Sequence, residues 1–144
     1  MRVSHASIGL AGLLLAGACG GGEKKAAESA PAAAATLPTT VTPCATCKVI
    51  EVTMTSNDKG NFFTPAEIEA HVGDVLRYKL IVGVHNVNFL PDSNPGKTGL
   101  PPASALLQLP GQTQDIELRF GKGTFFFQCD PHAALGMKGH VKVE

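Results

Sequence analysis

The sequence predicts an all-β fold, a sandwich of about seven short strands. Apolar residues recur with period two from Val49 onward, no long helical periodicity competes with that pattern, and Pro/Gly turn signals punctuate it. Val49 to Thr55 opens the series, with Ile50, Val52 and Met54 on one face. Glu67 to Val72 follows, placing Ile68, Ala70 and Val72 together and His71 opposite them. In Val75 to Val82, Leu76, Tyr78, Leu80 and Val82 share a face while Arg77 and Lys79 take the other, as a half-buried strand requires. His85 to Phe89 sets His85, Val87 and Phe89 on one side. Gln114 to Phe120, after the Pro110-Gly111 turn, is the most regular: Ile116, Leu118 and Phe120 alternate with Asp115, Glu117 and Arg119. Thr124 to Cys129 and Gly139 to Val143 complete the set.

The chain has 144 residues, enough for one hydrophobic core once its ends are set aside, which argues against a multidomain enzyme. Twelve basic and twelve acidic side chains cancel, so no global basic field is available to hold nucleic acid. Residues 1–18, with Arg2 and the apolar run Ile8 to Ala18, read as a secretory signal peptide, too short to span a bilayer. Leu15-Ala16-Gly17-Ala18-Cys19 resembles a bacterial lipoprotein box, although Ala16 stands where Leu is usual; Cys19 would then become a lipidated N-terminus. Ordinary cleavage giving a free periplasmic protein is the alternative. Residues 19–43 are rich in Ala, Thr and Pro with almost no large apolar side chain, the composition of a disordered tether. The folded domain is expected over 44–144, monomeric and on the periplasmic side or cell surface.

Strand parity separates the histidines. His71 and His140 fall on solvent faces, whereas His85 shares parity with Val87 and Phe89, and Cys129 with Phe125 and Phe127, so both point inward. A polar inward residue needs a partner. After Cys129 the chain runs Asp130-Pro131-His132-Ala133-Ala134-Leu135-Gly136-Met137, placing thiolate, imidazole and thioether in one short loop. With His85 as a second imidazole, these four residues form the trigonal soft-donor set with a weak axial thioether that suits copper in both oxidation states. Zinc in a Cys/His site, or packing without metal, are the competing readings.

The spacing Cys-x2-His-x4-Met, the upstream His85-Asn86-Val87, Val72-Gly73-Asp74 before a strand and the Gly136-Met137-Lys138-Gly139 closure together resemble the plastocyanin branch of the cupredoxins over about Val49 to Glu144. The resemblance implies a Greek-key β-sandwich of eight strands, one type 1 copper ion and service as a one-electron carrier. It also implies that Asn86 ties the upstream ligand segment to the ligand loop. Gln128 stands where the plant proteins have a docking Tyr, and no acidic run accompanies it, so a plant-type docking patch is not expected. An apolar rim of Ala133, Ala134 and Leu135, with Pro91, would instead surround His132.

Cys44 and Cys47 remain open between a local disulfide, favoured by export, and a second Cu(I) site. Lys48 where a His would be needed excludes a c-type haem signature. Pro91 to Thr98 ends like a phosphate-binding loop, but Gly99, Pro101 and Pro102 leave no helix to follow it. The resulting expectation is an exported, membrane-tethered copper protein exchanging single electrons with cytochrome- or oxidase-type redox partners, a carrier and not an enzyme. A copper-delivery protein using the same site and the Cys44/Cys47 pair is the alternative.

Overall fold

The computed structural model describes residues 40–144. The expected signal peptide, Cys19 and the expected tether up to residue 39 lie outside the described residues. Seven strands are present: β1 (Val49–Asn57), β2 (Gly60–Thr64), β3 (Glu67–Ala70), β4 (Val75–Val82), β5 (Thr113–Glu117), β6 (Gly123–Gln128) and β7 (Lys138–Val143). They form a four-stranded sheet in the order β2-β1-β4-β5 and a three-stranded sheet in the order β3-β7-β6. Both sheets are mixed, since β1 runs parallel to β4 and β3 parallel to β7.

The inward residues of the two sheets meet in one core. Phe127 lies at its centre, with ring centroids 5.0 Å from Phe63, 5.5 Å from Tyr78 and 5.5 Å from Phe89, mostly in edge-on arrangements that suit aromatic quadrupoles. Gly139 on β7 makes this possible, because a Cβ there would overlap the Phe127 ring and the Ala66 carbonyl. Phe127 is two residues before Cys129, so the packing that fixes this ring also fixes the end of β6. The Tyr78 hydroxyl, inside the same cluster, has no hydrogen-bond partner among the described residues, and burial pushes its phenol well above the usual range, so it stays neutral.

Four sequence expectations are corrected. The hairpin strand β2 is additional: it is reached through a turn in which the Lys59 N–H donates to Asn57 Oδ1, and only Phe63 in it is buried, so it shows no alternation. His85 to Phe89 is not a regular strand but a crossing segment. His85 bridges to Leu107, and Asn88 to Gln128 of β6, so its hydrogen bonds go to different neighbours in turn. Val72 and Val82 are exposed: β3 ends at Ala70 in a turn closed by the Asp74 N–H on the His71 carbonyl, and the β1–β4 register shifts between Met54 and Thr55. Finally, β5 ends at Glu117, and Asp115 is buried although its parity points outward. Arg77 grips it with two bonds of 2.8 and 2.7 Å, and the Val41 N–H, ahead of the expected domain boundary, donates to it at 2.7 Å.

Cys44 and Cys47 are joined in a disulfide just before β1. Beside it, the buried Asp74 carboxylate accepts the backbone N–H groups of Lys48 at 2.7 Å and His71 at 2.9 Å. Burial alone would raise its pKa; these bonds and the His71 and Lys48 charges outweigh it and hold the carboxyl below its ordinary value. The folded form therefore favours the ionised carboxylate, and its contribution is present above the unfolded pKa of about 4 and lost as pH falls through the lower folded value. Asp74→Asn, which leaves one N–H without an acceptor, is expected to cost about 1–3 kcal/mol at pH 7 and less at pH 3, measured by urea denaturation at both pH values.

Candidate metal centre

The site sits where the crossing segment meets the loop between β6 and β7. Cys129 directly follows β6, and its N–H donates to the Met137 carbonyl at 3.1 Å, closing the base of the loop. Between them, Asp130–Leu135 winds as a 3-10 turn with Pro131 in its first positions. The His132 N–H donates to the Cys129 carbonyl at 3.0 Å, and the Met137 N–H to the His132 carbonyl at 3.1 Å. Gly136 ends the turn at φ +89°, a left-handed conformation that favours glycine. From the other side, His85 exchanges backbone hydrogen bonds of 3.1 and 2.8 Å with Leu107, which anchors the imidazole independently of the loop.

These anchors bring three donors together. The two Nδ1 atoms of His85 and His132 are 3.2 Å apart, and the Cys129 sulfur lies 3.6 Å from the first and 3.4 Å from the second. A point at the centre of that triangle is about 2.0 Å from each atom, the length of a metal–nitrogen bond and slightly short of a metal–sulfur bond. His85, Cys129 and Met137 are buried and His132 is half-buried, so the site is dry except at one imidazole edge. Two imidazoles and a thiol, with the buried Met137 at the far end of the same loop, fit a soft first-row metal such as copper.

The surroundings suit ligation. Burial, then the neighbouring His132, push the His85 pKa down against the opposing hydrogen bond to the Val82 carbonyl, which favours the neutral ring that a metal needs. Burial pushes the Cys129 thiol up, partly countered by the backbone N–H groups of Asn86 and His132, so a bound cation must displace its proton. Asn86 forms a reciprocal pair with the loop: its Nδ2 donates to Asp130 Oδ2 at 2.8 Å and its Oδ1 accepts the Asp130 N–H at 2.8 Å.

Asp130 is a residue that the sequence reading missed. Its carboxylate also accepts from Asn88 at 3.1 Å and Gln128 at 3.0 Å, and these bonds, outweighing burial, hold its pKa low. Its position between Cys129 and Pro131 was the available signal, but its partners Asn86 and Asn88 are 44 and 42 residues away. Ser56 was missed likewise; its hydroxyl meets His85 Nε2 at 3.1 Å. Around His132, Ala134 and Leu135 are exposed, Leu135 at 70%, while Ala133 is half-buried; Pro91 is also exposed. His71 is exposed and His140 half-buried on the outer face of its sheet, pairing with Glu67. Cys44 and Cys47, bonded to each other, offer no thiolate in that state.

The sequence model of the family described as copper binding proteins, plastocyanin/azurin family, matches residues 50–144. Plastocyanin of Vicia faba is 36% identical over 99 residues, a match covering 65% of this chain and 99% of that one. Chloroplastic plastocyanin of Pisum sativum is 35% identical over 99 residues, covering 65% of this chain but only 58% of the relative. Among solved structures, the oxidised form of plastocyanin from Dryopteris crassirhizoma superimposes with a TM-score of 0.56 at 26% identity, over 66% of this chain and 100% of that one. Ligand set, sandwich and sequence converge: this chain belongs to the plastocyanin/azurin family of copper-binding proteins.

Proposed function

We propose that this protein is a one-electron carrier whose single copper ion is held by His85, Cys129, His132 and Met137. The observation that carries the reading is the triangle of two Nδ1 atoms and one Sγ, already at metal-binding spacing and fixed from two independent sides. A copper ion bound there supplies the Cu(II)/Cu(I) couple. The protein's share is rigidity: the loop closed at Cys129 and Met137, the His85–Leu107 pair and the Asn86–Asp130 pair hold the donors in place whatever the charge between them. The Met137 thioether favours copper over zinc, whose usual fourth ligand is nitrogen, thiolate or carboxylate.

The half-buried His132 edge is the route for the electron, and redox partners dock on the rim of Ala133, Ala134 and Leu135. Leu135→Glu is expected to slow electron exchange between oxidised and reduced copies about tenfold at low salt, through like-charge repulsion at contact. Unchanged exchange, measured by NMR line broadening in a variant of wild-type colour, would move docking to another surface.

The leader and Cys19 support export and lipidation, with residues 19–43 as the tether that raises the carrier's local concentration at a membrane. Mass spectrometry of the mature N-terminus tests this; an acylated Cys19 is expected, and an unmodified terminus would replace the anchor by simple cleavage.

A further inference from the structure

The imidazole of His85 is gripped on the side away from Cys129 and His132. Its Nε2 lies 3.2 Å from the Val82 carbonyl oxygen and 3.1 Å from the Ser56 hydroxyl. The same Ser56 hydroxyl lies 2.6 Å from Asn61 Oδ1. Ser56 and Asn61 face each other across the β1–β2 hairpin, so the register of that hairpin sets the pair. Gly83, at φ +106°, completes the arrangement: a Cβ there would overlap both Ser56 Oγ and His85 Nε2, and only glycine lets ring and hydroxyl meet.

The direction of these bonds follows from valence. A neutral imidazole carries one proton, and with Nδ1 turned to the metal-binding triangle that proton sits on Nε2. Nε2–H therefore donates, shared between the Val82 carbonyl and Ser56 Oγ, and the Ser56 hydroxyl spends its own proton on Asn61 Oδ1. The Val82 carbonyl would be present with any side chain at that position. Ser56 and Asn61 are choices of this sequence.

We infer that Ser56, backed by Asn61, is a positioning residue that fixes the tautomer and orientation of His85 and lowers the reduction potential of the site. The inference rests on the copper reading given above. Donation from Nε2–H to a strong acceptor leaves more electron density on Nδ1, and a more basic ligand stabilises Cu(II) over Cu(I). Passing the Ser56 proton to Asn61 strengthens Ser56 as an acceptor, because chains of hydrogen bonds polarise one another.

The test uses the full chain in two forms. In the copper-loaded protein, equilibrium with a one-electron mediator of known potential is followed for Ser56→Ala, Asn61→Asp and the double variant. Ser56→Ala is expected to shift the equilibrium three- to tenfold toward Cu(I), tenfold being 59 mV for one electron. Asn61→Asp, which places a charge at the end of the chain, is expected to shift it the other way, and that shift is to shrink at least twofold when Ser56 is Ala, the remainder being the through-space effect of the charge. In the metal-free protein, the Nε2-bound proton of His85, observed by nitrogen-15 NMR, is expected to exchange with solvent at least tenfold faster in Ser56→Ala.

A Ser56→Ala equilibrium within twofold of wild type would overturn the inference, as would an Asn61→Asp shift that is undiminished in the double variant. Unchanged proton exchange in the metal-free protein would overturn it as well. Failure of wild type to develop thiolate-to-copper absorption defeats the copper reading itself, a different outcome from a coloured protein indifferent to Ser56.

Discussion

Cys129→Ser is expected to abolish the intense visible absorption of the copper-loaded protein and to lower copper affinity by more than the 10- to 100-fold typical of losing an outer hydrogen-bond partner. The reason is electronic. The band in question is charge transfer from a thiolate, and Ser offers a harder oxygen that stays protonated and binds Cu(I) weakly. The change in volume is small, and the hydroxyl retains hydrogen-bonding neighbours in the two Nδ1 atoms, so the fold should survive. Absorption during a copper titration, with the melting temperature of the metal-free variant as control, checks this. A variant that keeps the wild-type Cu(II) spectrum would remove Cys129 from the site.

Asn86→Ala carries the second large effect. It strips the Asp130 N–H of its acceptor and removes a donor from the Asp130 carboxylate, in a position where Asn86 itself is only 6% exposed. A buried group left without its partner costs about 1–3 kcal/mol, more when the group is charged. At about 4–8 °C per kcal/mol for a domain near this size, calorimetry should show a clearly lower melting temperature. Copper should also bind about 10- to 100-fold more weakly, since the tie between the His85 segment and the Cys129 loop is lost. If melting temperature and affinity both stay at wild-type values, the Asn86–Asp130 pair is not what holds the two halves of the site together.

How far the sequence revealed these features depended on how local their causes are. β1, β4 and β6 were legible because each packs one face on the core, so that Val52 and Met54, Tyr78 and Leu80, and Phe125 and Phe127 are buried at alternate positions. The inward direction of His85 was legible for the same reason: His85, Val87 and Phe89 are all buried, even though the segment is a crossing and not a strand. An extended chain keeps its alternation whether or not one neighbour takes all its hydrogen bonds. Met137 and His132 were visible beside Cys129 because the loop that gathers them is short.

What stayed hidden was set by distant chain. Asp115 reads as an outward residue until Val41 and Arg77 cover it. Val82 reads as inward, and the extra residue Ile81, where the pairing of β4 with β1 shifts register, turns it out. β2 carries one buried residue, too few to make a period. Ser56 resembles any strand-end serine, and its meeting with His85 depends on the absence of a side chain at Gly83. Periodicity describes a face, whereas these residues are defined by what another segment does to that face.

The most direct test of the copper assignment is electron paramagnetic resonance of the protein titrated with Cu(II), read together with its visible absorption. Saturation at one copper per chain, intense thiolate-to-copper colour, narrow copper hyperfine splitting and reversible bleaching by one electron are expected. Wide splitting with weak colour, or colour that fails to return on reoxidation, would contradict a copper held by His85, Cys129, His132 and Met137 for electron transfer.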